Sequence, residues 1–167
     1  TDSITTERSP KTMERTLIIL KPDALQRDLI GDIINRLERK GLNIVGMKMM
    51  RLDDALLGEH YSHIVDKPFY KDVESFMQSA PVVLMALEGY EAVDTVRLIV
   101  GATNPRQAAA GTIRGDLAIG NGRNLIHASD SVENGKSEVA RFFNENELFD
   151  YQKDHVGQVY ADSERNS

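Results

Sequence analysis

The residues with the clearest chemical potential lie in one stretch of twenty residues, from Gly111 to Asp130. Arg114 lies between glycines near its start, and His127 follows a short apolar step near its end. Glycines allow the backbone to approach a bulky anion, and a guanidinium offers donors that match phosphate oxygens. A histidine that follows such a turn can act as a nucleophile or a proton carrier near neutral pH. Together these residue types favour phosphate chemistry over the alternative, a loop with a surface arginine and a histidine at a strand end.

Other polar side chains could complete such a site. Lys21 follows an apolar run and precedes a proline, and α/β folds place ligands at the carboxyl ends of strands. A solvated lysine in a turn is the alternative. The remaining candidates are Arg97, Thr103 and Asn124, with Tyr61, Ser129 and Glu138 nearby in principle. Three cations, a hydroxyl and an amide suit a polyphosphate, because phosphoryl transfer requires mainly positioning and charge stabilisation.

The type of phosphoryl transfer is narrowed by the motifs that the sequence lacks. It contains neither a Walker A motif nor the glycine-rich loop and catalytic signature of protein kinases. A histidine that takes up the phosphoryl group itself remains, and it would divide the transfer into two half-reactions. Glu138, eleven residues after His127, could hold the other ring nitrogen, or could be an ordinary exposed carboxylate. Asn124 and His127 would face opposite sides of a regular strand, so we expect one of them to lie outside it.

The bulk composition is that of a globular protein. The 167 residues, 41% hydrophobic and 28% charged, suit one domain with a hydrophobic core. A net charge of −6 argues against generic binding to nucleic acid or anionic membranes, and the lack of cysteine excludes disulfides and thiolate zinc sites. No apolar run could span a bilayer and the polar N-terminus is not a signal peptide, so we expect a cytoplasmic location.

Hydrophobic periodicity predicts the order of the elements. Short apolar runs predict strands at residues 15–20, 42–52 and 81–87, and a fourth at the step that leads to His127. Helical apolar stripes follow from residue 29 to 40, after Asp53, around 73–77, from 91 to 100 and up to about 143. Setting aside the extra short helices, this order is β-α-β-β-α-β. We therefore predict an α/β (α+β) ferredoxin-like sandwich with a four-stranded antiparallel sheet covered by helices.

Three aromatic residues have two interpretations each. His60 and Tyr61 lie on the apolar side of the helix after Asp53, which favours half-buried or interface residues over catalytic ones. Phe69, in a proline turn, could pack in the core or offer its face to a nucleobase.

An ordered set of segments from about residue 14 to 151 resembles the nucleoside diphosphate kinase family. The segments are Glu14-Arg-Thr-Leu, Ile19-Leu-Lys21-Pro22-Asp23, Gln26-Arg27, Leu29-Ile-Gly-Asp-Ile, His60-Tyr61, Lys67-Pro68-Phe69, Pro81-Val-Val, Gly101-Ala-Thr-Asn-Pro105, Gly111-Thr-Ile-Arg-Gly-Asp116, Gly122-Arg-Asn-Leu-Ile-His127 and Ser129-Asp-Ser-Val132. Each segment alone is a weak signal, but the ordered set is highly specific.

The resemblance implies a ping-pong enzyme that moves the γ-phosphoryl group of ATP, as its Mg²⁺ complex, onto nucleoside diphosphates. It implies that His127 is the phosphorylated nucleophile and that Mg²⁺ is held chiefly by phosphates and water, so no protein ligand is assigned to it. For the nucleotide, it implies that Phe69 stacks on the base, that Lys21 and Asn124 contact the ribose and sugar-side oxygens, and that Arg97, Thr103 and Arg114 bind the phosphates. For the histidine, it implies that Tyr61 and Lys21 flank the ring and that Glu138 with Ser129 orients it. The family also assembles as hexamers or tetramers built from dimers.

Further expectations concern the domains and individual variants. We expect a disordered leader at residues 1–12, a single nucleoside diphosphate kinase domain at 13–160 and a polar tail at 161–167. The segment from Asp150 should be a surface strap or a contact with a neighbouring subunit. We expect the His127→Ala change to abolish turnover, and Arg114→Ala to lower the rate by orders of magnitude while leaving the fold intact.

Some positions depart from the family pattern. Ala24, Asp28 and Ala128 stand where glycines are common, and Asn121 replaces an often apolar residue near the base. If such a position needs a positive φ or room for a phosphate, a side chain would cost stability or rate. Two other hypotheses are weighed against the same residues. One is a regulatory protein that binds nucleotide without turnover, and the other is a phosphohistidine carrier that passes phosphate between proteins.

Overall fold

Four antiparallel strands form one sheet in the spatial order β2-β3-β1-β4 in a computed structural model of the chain, which describes residues 12–166. The strands are β1 (Met13–Leu20), β2 (Asn43–Met50), β3 (Val82–Tyr90) and β4 (Ile126–Ala128). The helices are α1 (Pro22–Gln26), α2 (Ile30–Arg39), α3 (Asp54–His60), α4 (Tyr70–Met77), α5 (Ala92–Val100), α6 (Ile113–Leu117), α7 (Val132–Phe142) and α8 (Asp162–Arg165). The predicted antiparallel four-stranded sheet with covering helices is confirmed. The predicted leader lies outside the described residues apart from Thr12.

Helices cover both faces of the sheet, and this explains why β1 and β3 are continuous apolar runs. On one face, Ile18 of β1 belongs to a core cluster that includes Ile33 of α2 and Val96 of α5. On the other face, Leu17 belongs to a second cluster that includes Leu57 of α3, Met77 of α4 and Val139 of α7. Because successive strand residues point to opposite faces, the end of β1 anchors both layers. The residue that follows this strand, Lys21, is therefore attached to the most buried part of the fold.

The helix α6 was not predicted, and Gly115 within it has a different structural role from the one expected. Thr112 caps the helix, since its Oγ1 accepts a hydrogen bond from Gly115 N at 2.9 Å. A Cβ atom at position 115 would overlap the carbonyl oxygen of Ala109. Gly115 is thus required for close packing between α6 and the preceding loop, rather than for the approach of an anion.

The segment after Asp150, here called the strap, lies on the surface, and the chain is bonded to the edge strand β2 where this segment begins. Phe149 N donates to Val45 O at 2.8 Å, and the hydroxyl of Tyr151 donates to Ile44 O at 2.5 Å. Within residues 12–166, every helix is too short or too polar to cross a bilayer.

Candidate active site

A cavity beside the end of β1 brings together most of the residues that the sequence singled out. The predicted site residues in its wall are Lys21, Tyr61, Arg97, Thr103, Arg114, Asn124, His127 and Glu138. Two predicted residues lie elsewhere. Phe69 is 52% exposed in the turn before α4, and Ser129 is fully buried, with its Oγ accepting a hydrogen bond from Leu17 N at 3.0 Å.

The chain makes a sharp turn at Leu125, just before the histidine. Strand β4 begins at Ile126, so Asn124 lies outside the strand, as the spacing of Asn124 and His127 required. Leu125 is fully buried and has a φ of +72°, a left-handed conformation that costs a non-glycine residue roughly 1–2 kcal/mol. The turn allows Asn124 and His127 to face one cavity from positions three residues apart.

The strained turn is held by the segment that follows β1. Leu125 N donates to Asp23 Oδ2 at 3.0 Å, and Lys21 N donates to Leu125 O at 2.9 Å. Both Asp23 and Leu125 are buried, so neither bond can be replaced by water without local opening. The segment Lys21-Pro22-Asp23 therefore fixes the backbone of the turn that leads to His127.

Replacing Asp23 with alanine should lower the free energy of unfolding by roughly 1–3 kcal/mol, because it leaves the buried amide of Leu125 without an acceptor. Urea unfolding followed by circular dichroism measures this change. Asp154→Ala, at an exposed position in the strap, serves as the matched control. An Asp23→Ala protein as stable as the wild type would mean that this bond does not hold the turn.

Arg114 is tied to three backbone carbonyls. Its Nε donates to Asn124 O at 3.2 Å, its Nη1 to Gly101 O at 3.2 Å and its Nη2 to Ile126 O at 2.6 Å. A guanidinium has five N–H donors, so two of them remain for a ligand. Burial, and secondly the nearby charge of Arg97, lower the pKa of Arg114 to about 10. Arg114 thus joins the end of α5 to both sides of the Leu125 turn, a structural role that the sequence did not reveal.

Lys21 lies in the same positive environment. Its Nζ donates to Asn124 Oδ1 at 2.8 Å, and Asn124 Nδ2 donates in turn to Thr103 O at 3.0 Å. Burial, followed by the charge of Arg114, lowers the pKa of Lys21 to about 8, while Asp23 acts in the opposite direction. The clustered cations oppose one another, and an anion in the cavity would relieve that repulsion.

His127 is held through one of its two ring nitrogens. Its Nε2 lies 2.5 Å from Oε1 of Glu138, a buried carboxylate on α7. An ionised carboxylate can only accept a hydrogen bond, so Nε2 carries the proton and Nδ1 of the neutral ring keeps its lone pair. A histidine in this tautomer has a free nucleophilic nitrogen. The sequence left open whether Glu138 holds the ring of His127, and in the structure it does.

His60 and Arg141 also belong to the site, and the sequence interpretation missed both. The ring centroid of His60 lies 4.8 Å from that of His127, and Arg141 Nη1 lies 3.0 Å from Nδ1 of His60. His60 is half-buried, as expected, but it packs against the predicted nucleophile. Its position on an apolar helical stripe is a signal shared with ordinary core residues, and the His60-Tyr61 segment of the family pattern gave it no role. Burial, and secondly Glu138, raise the pKa of the neighbouring Tyr61 to about 12.

Positions that depart from the family pattern have different environments. Ala128 lies in β4 opposite Ile18 and does not have a positive φ, so the expected backbone strain is absent there. Ala24 is buried inside α1, where a glycine conformation is not needed. Asp28 does have a left-handed backbone, with a φ of +57°, which aspartate tolerates better than most residues. Asn121 is exposed in the turn before the site.

Comparison with known proteins identifies the family and agrees with the fold. The sequence profile of the nucleoside diphosphate kinase family matches residues 14–148. The nucleoside diphosphate kinase of Staphylococcus haemolyticus is 54% identical over 140 residues, which cover 84% of this chain and 94% of the relative. That of Roseiflexus castenholzii is 52% identical over 148 residues, which cover 89% and 99%.

Solved structures give the same result. The halophilic nucleoside diphosphate kinase of Halobacterium salinarum, in complex with CDP, superposes with a TM-score of 0.86 at 48% identity, covering 89% of this chain and 99% of that one. A family protein from Babesia bovis has a TM-score of 0.85 at 41% identity, covering 88% and 99%.

The ferredoxin-like fold and the phosphate-suited cavity define a nucleotide-dependent phosphotransferase. The chain belongs to the nucleoside diphosphate kinase family. The predicted fold, family and enzymatic activity are confirmed, and nucleotides are its substrates.

Proposed function

We propose that Nδ1 of His127 carries the phosphoryl group between ATP and an acceptor nucleoside diphosphate. The contact of 2.5 Å between Nε2 and Glu138 supports this most directly, because it leaves Nδ1 as the free nitrogen. In the first half-reaction the Nδ1 lone pair forms a bond to the γ-phosphorus, the bond from that phosphorus to the bridging oxygen breaks, and ADP leaves. The ring becomes cationic, and the carboxylate of Glu138 stabilises that charge. The acceptor's terminal phosphate oxygen reverses these steps in the second half-reaction.

The polar wall of the cavity suits the remaining roles. Arg97, Thr103 and Arg114 would hold the phosphates, and Arg114 has two N–H donors for this purpose after its carbonyl bonds. Lys21 and Asn124, already joined to each other, would reach the ribose and sugar-side oxygens.

Two aromatic residues and a buried serine have the remaining roles in the proposed mechanism. Tyr61 would flank the histidine together with Lys21, and the exposed ring of Phe69 is available to stack on a base. Ser129 would contribute to ring orientation through its bond to Leu17, which fixes β4 against β1.

The metal is best regarded as part of the nucleotide substrate. The carboxylates in the cavity wall are engaged by the protein: Glu138 by His127, Asp130 by Asn134 and Glu59 by Arg141. The family's requirement for a divalent cation is therefore met in our proposal by Mg²⁺ that arrives on the phosphates, with no protein ligand. Bound in this way, the ion would neutralise phosphate charge.

Nucleotide binding should weaken as the pH rises through about 8. The pKa of Lys21 is lowered to about 8, so Lys21 is charged below that pH and loses its charge above it. Calorimetric titration with ADP between about pH 7 and about pH 9 measures the effect. Lys21→Met should bind more weakly than the wild type below about pH 8, approach it above that pH and lack the inflection. The same inflection in Lys21→Met would assign it to another group.

A two-step labelling experiment tests the mechanism. The protein is incubated with γ-labelled ATP and Mg²⁺, free nucleotide is removed, and unlabelled GDP is then added. Acid-labile label on the protein that moves to GTP is the expected result. Label that no nucleoside diphosphate can remove would indicate a phosphohistidine carrier. Tight nucleotide binding without label would indicate a regulatory binding protein.

Four further expectations belong to this proposal. A nucleotide partner is supported by the Halobacterium salinarum relative, which was solved with CDP. A homo-oligomer, as a hexamer or a tetramer of dimers, and a cytoplasmic location stay predictions. So does the division into a domain at residues 13–160 and a tail at 161–167.

A further inference from the structure

We infer that His60 is a positioning residue, whose ring fixes the plane of the His127 imidazole. The inference rests on the proposed role of His127 as nucleophile. His60 itself is not assigned any contact with the phosphoryl group; it acts through the ring that it touches.

The bond to Glu138 is not sufficient to fix the His127 ring. It restrains Nε2, but rotation of the ring about this contact changes the direction of the Nδ1 lone pair. The outer torsion of a histidine side chain is broad, so packing must supply the restraint. The ring of His60 lies edge to face against His127, at 4.8 Å between centroids and 83° between planes. A perpendicular neighbour at this distance opposes such rotation.

His60 is held more firmly than an ordinary half-buried side chain. Arg141 Nη1 donates to its Nδ1 at 3.0 Å, and its ring packs edge to face against Phe142 at 5.1 Å and Tyr61 at 4.8 Å. Arg141 is itself paired with Glu59, at 3.4 Å between Nε and Oε1. A positioning residue must be rigid, and these contacts provide that rigidity.

Both imidazoles are oriented from one side of α7. Glu138, Arg141 and Phe142 are spaced by three and four residues and so lie on one face of that helix. Glu138 contacts His127, whereas Arg141 and Phe142 contact His60. A single rigid element therefore sets the relative position of the two rings.

The charge and tautomer of His60 suit packing rather than proton transfer or metal binding. Burial first, then the charges of His127, Arg141, His63 and Lys21, lower the pKa of His60 to about 3. The ring is therefore neutral at physiological pH. Because an arginine can only donate, Nδ1 accepts and the ring proton is on Nε2. His60 with His127 and Glu138 has the composition of a metal site, but this tautomer and the surrounding cations disfavour a metal ion there.

Replacing His60 with alanine should slow phosphorylation of His127 by about 10- to 100-fold, the scale expected for a misdirected reacting group. The affinity for ADP should change by less than about twofold, because the phosphate-binding side chains are untouched. His60→Phe keeps an aromatic ring and should recover most of the lost rate. Rapid-quench measurement with γ-labelled ATP gives the rate, and calorimetry gives the affinity. His155→Ala, at an exposed position in the strap, is the control.

A double-mutant cycle with Arg141→Met tests whether Arg141 acts through His60. Arg141→Met should slow phosphorylation in the wild-type background and have little further effect in His60→Ala. The inference is overturned if His60→Ala labels at the wild-type rate, if His60→Phe is as slow as His60→Ala, or if ADP affinity and Tm fall in parallel with the rate. A wild-type protein that is never labelled would instead refute the phosphohistidine mechanism, so the two failures can be distinguished.

Discussion

Replacing His127 with alanine should abolish the label on the protein and lower turnover by on the order of 10⁶-fold, the scale of losing a covalent nucleophile. The alanine protein should still fold, because the pairing of position 127 with Ile19 is made by the backbone. It should also still bind nucleotide, since the cations of the cavity remain. The two-step labelling experiment measures the loss, and thermal unfolding with and without ADP verifies that fold and binding persist.

His155→Ala controls for the general loss of an imidazole, because His155 is exposed in the strap and outside the cavity. It should label and turn over like the wild type. Normal turnover by the His127→Ala protein would refute the phosphohistidine mechanism, whatever else the cavity binds.

Replacing Arg114 with alanine should lower the rate by roughly 10²- to 10³-fold, because an aligned donor to the transferred phosphoryl group is lost. The structure adds a second effect that the sequence did not suggest. Arg114 satisfies the carbonyls of Gly101, Asn124 and Ile126, so its removal should also lower the free energy of unfolding by roughly 1–3 kcal/mol. We therefore still expect the fold to stay intact, but with a joint loss of rate and stability.

The two effects of Arg114 can be separated by experiment. Urea unfolding measures stability, and steady-state assays at saturating nucleotide measure the rate. Arg106→Ala, at an exposed arginine, is the control for loss of positive charge. If Arg114→Ala keeps the wild-type stability, the carbonyl bonds are not structurally important. If it keeps the wild-type rate, Arg114 does not bind the transferred group.

The fold was predictable because its signals are local and repeated. The apolar runs of β1 and β3 and the helical stripes of α2 and α5 follow directly from side-chain periodicity. The short helix α6 was missed because five residues with a glycine give no periodic signal. The structural reason for that glycine, contact with Ala109, depends on tertiary packing.

The residues of the candidate site could be proposed from the sequence, but the contacts that hold them in place could not. The spacing of Asn124 and His127 required a break in the strand, but nothing local indicated that buried Leu125 would adopt the left-handed conformation. Its stabilising partner, Asp23, is 102 residues away in sequence. The contact of His60 with His127 likewise joins α3 to β4 across the fold. Such long-range contacts cannot be derived from local pattern.

The carbonyl bonds of Arg114 have a consequence for the order of events in a catalytic cycle. The carbonyls of Gly101, Asn124 and Ile126 hold Arg114 through bonds within the protein itself, so the position of this guanidinium does not depend on a phosphate. A ping-pong reaction requires one diphosphate to leave and a different one to enter before the phosphoryl group is lost to water. If Arg114 binds phosphate as proposed, its bonds to the backbone should keep a donor in place between these two visits and so shorten that interval.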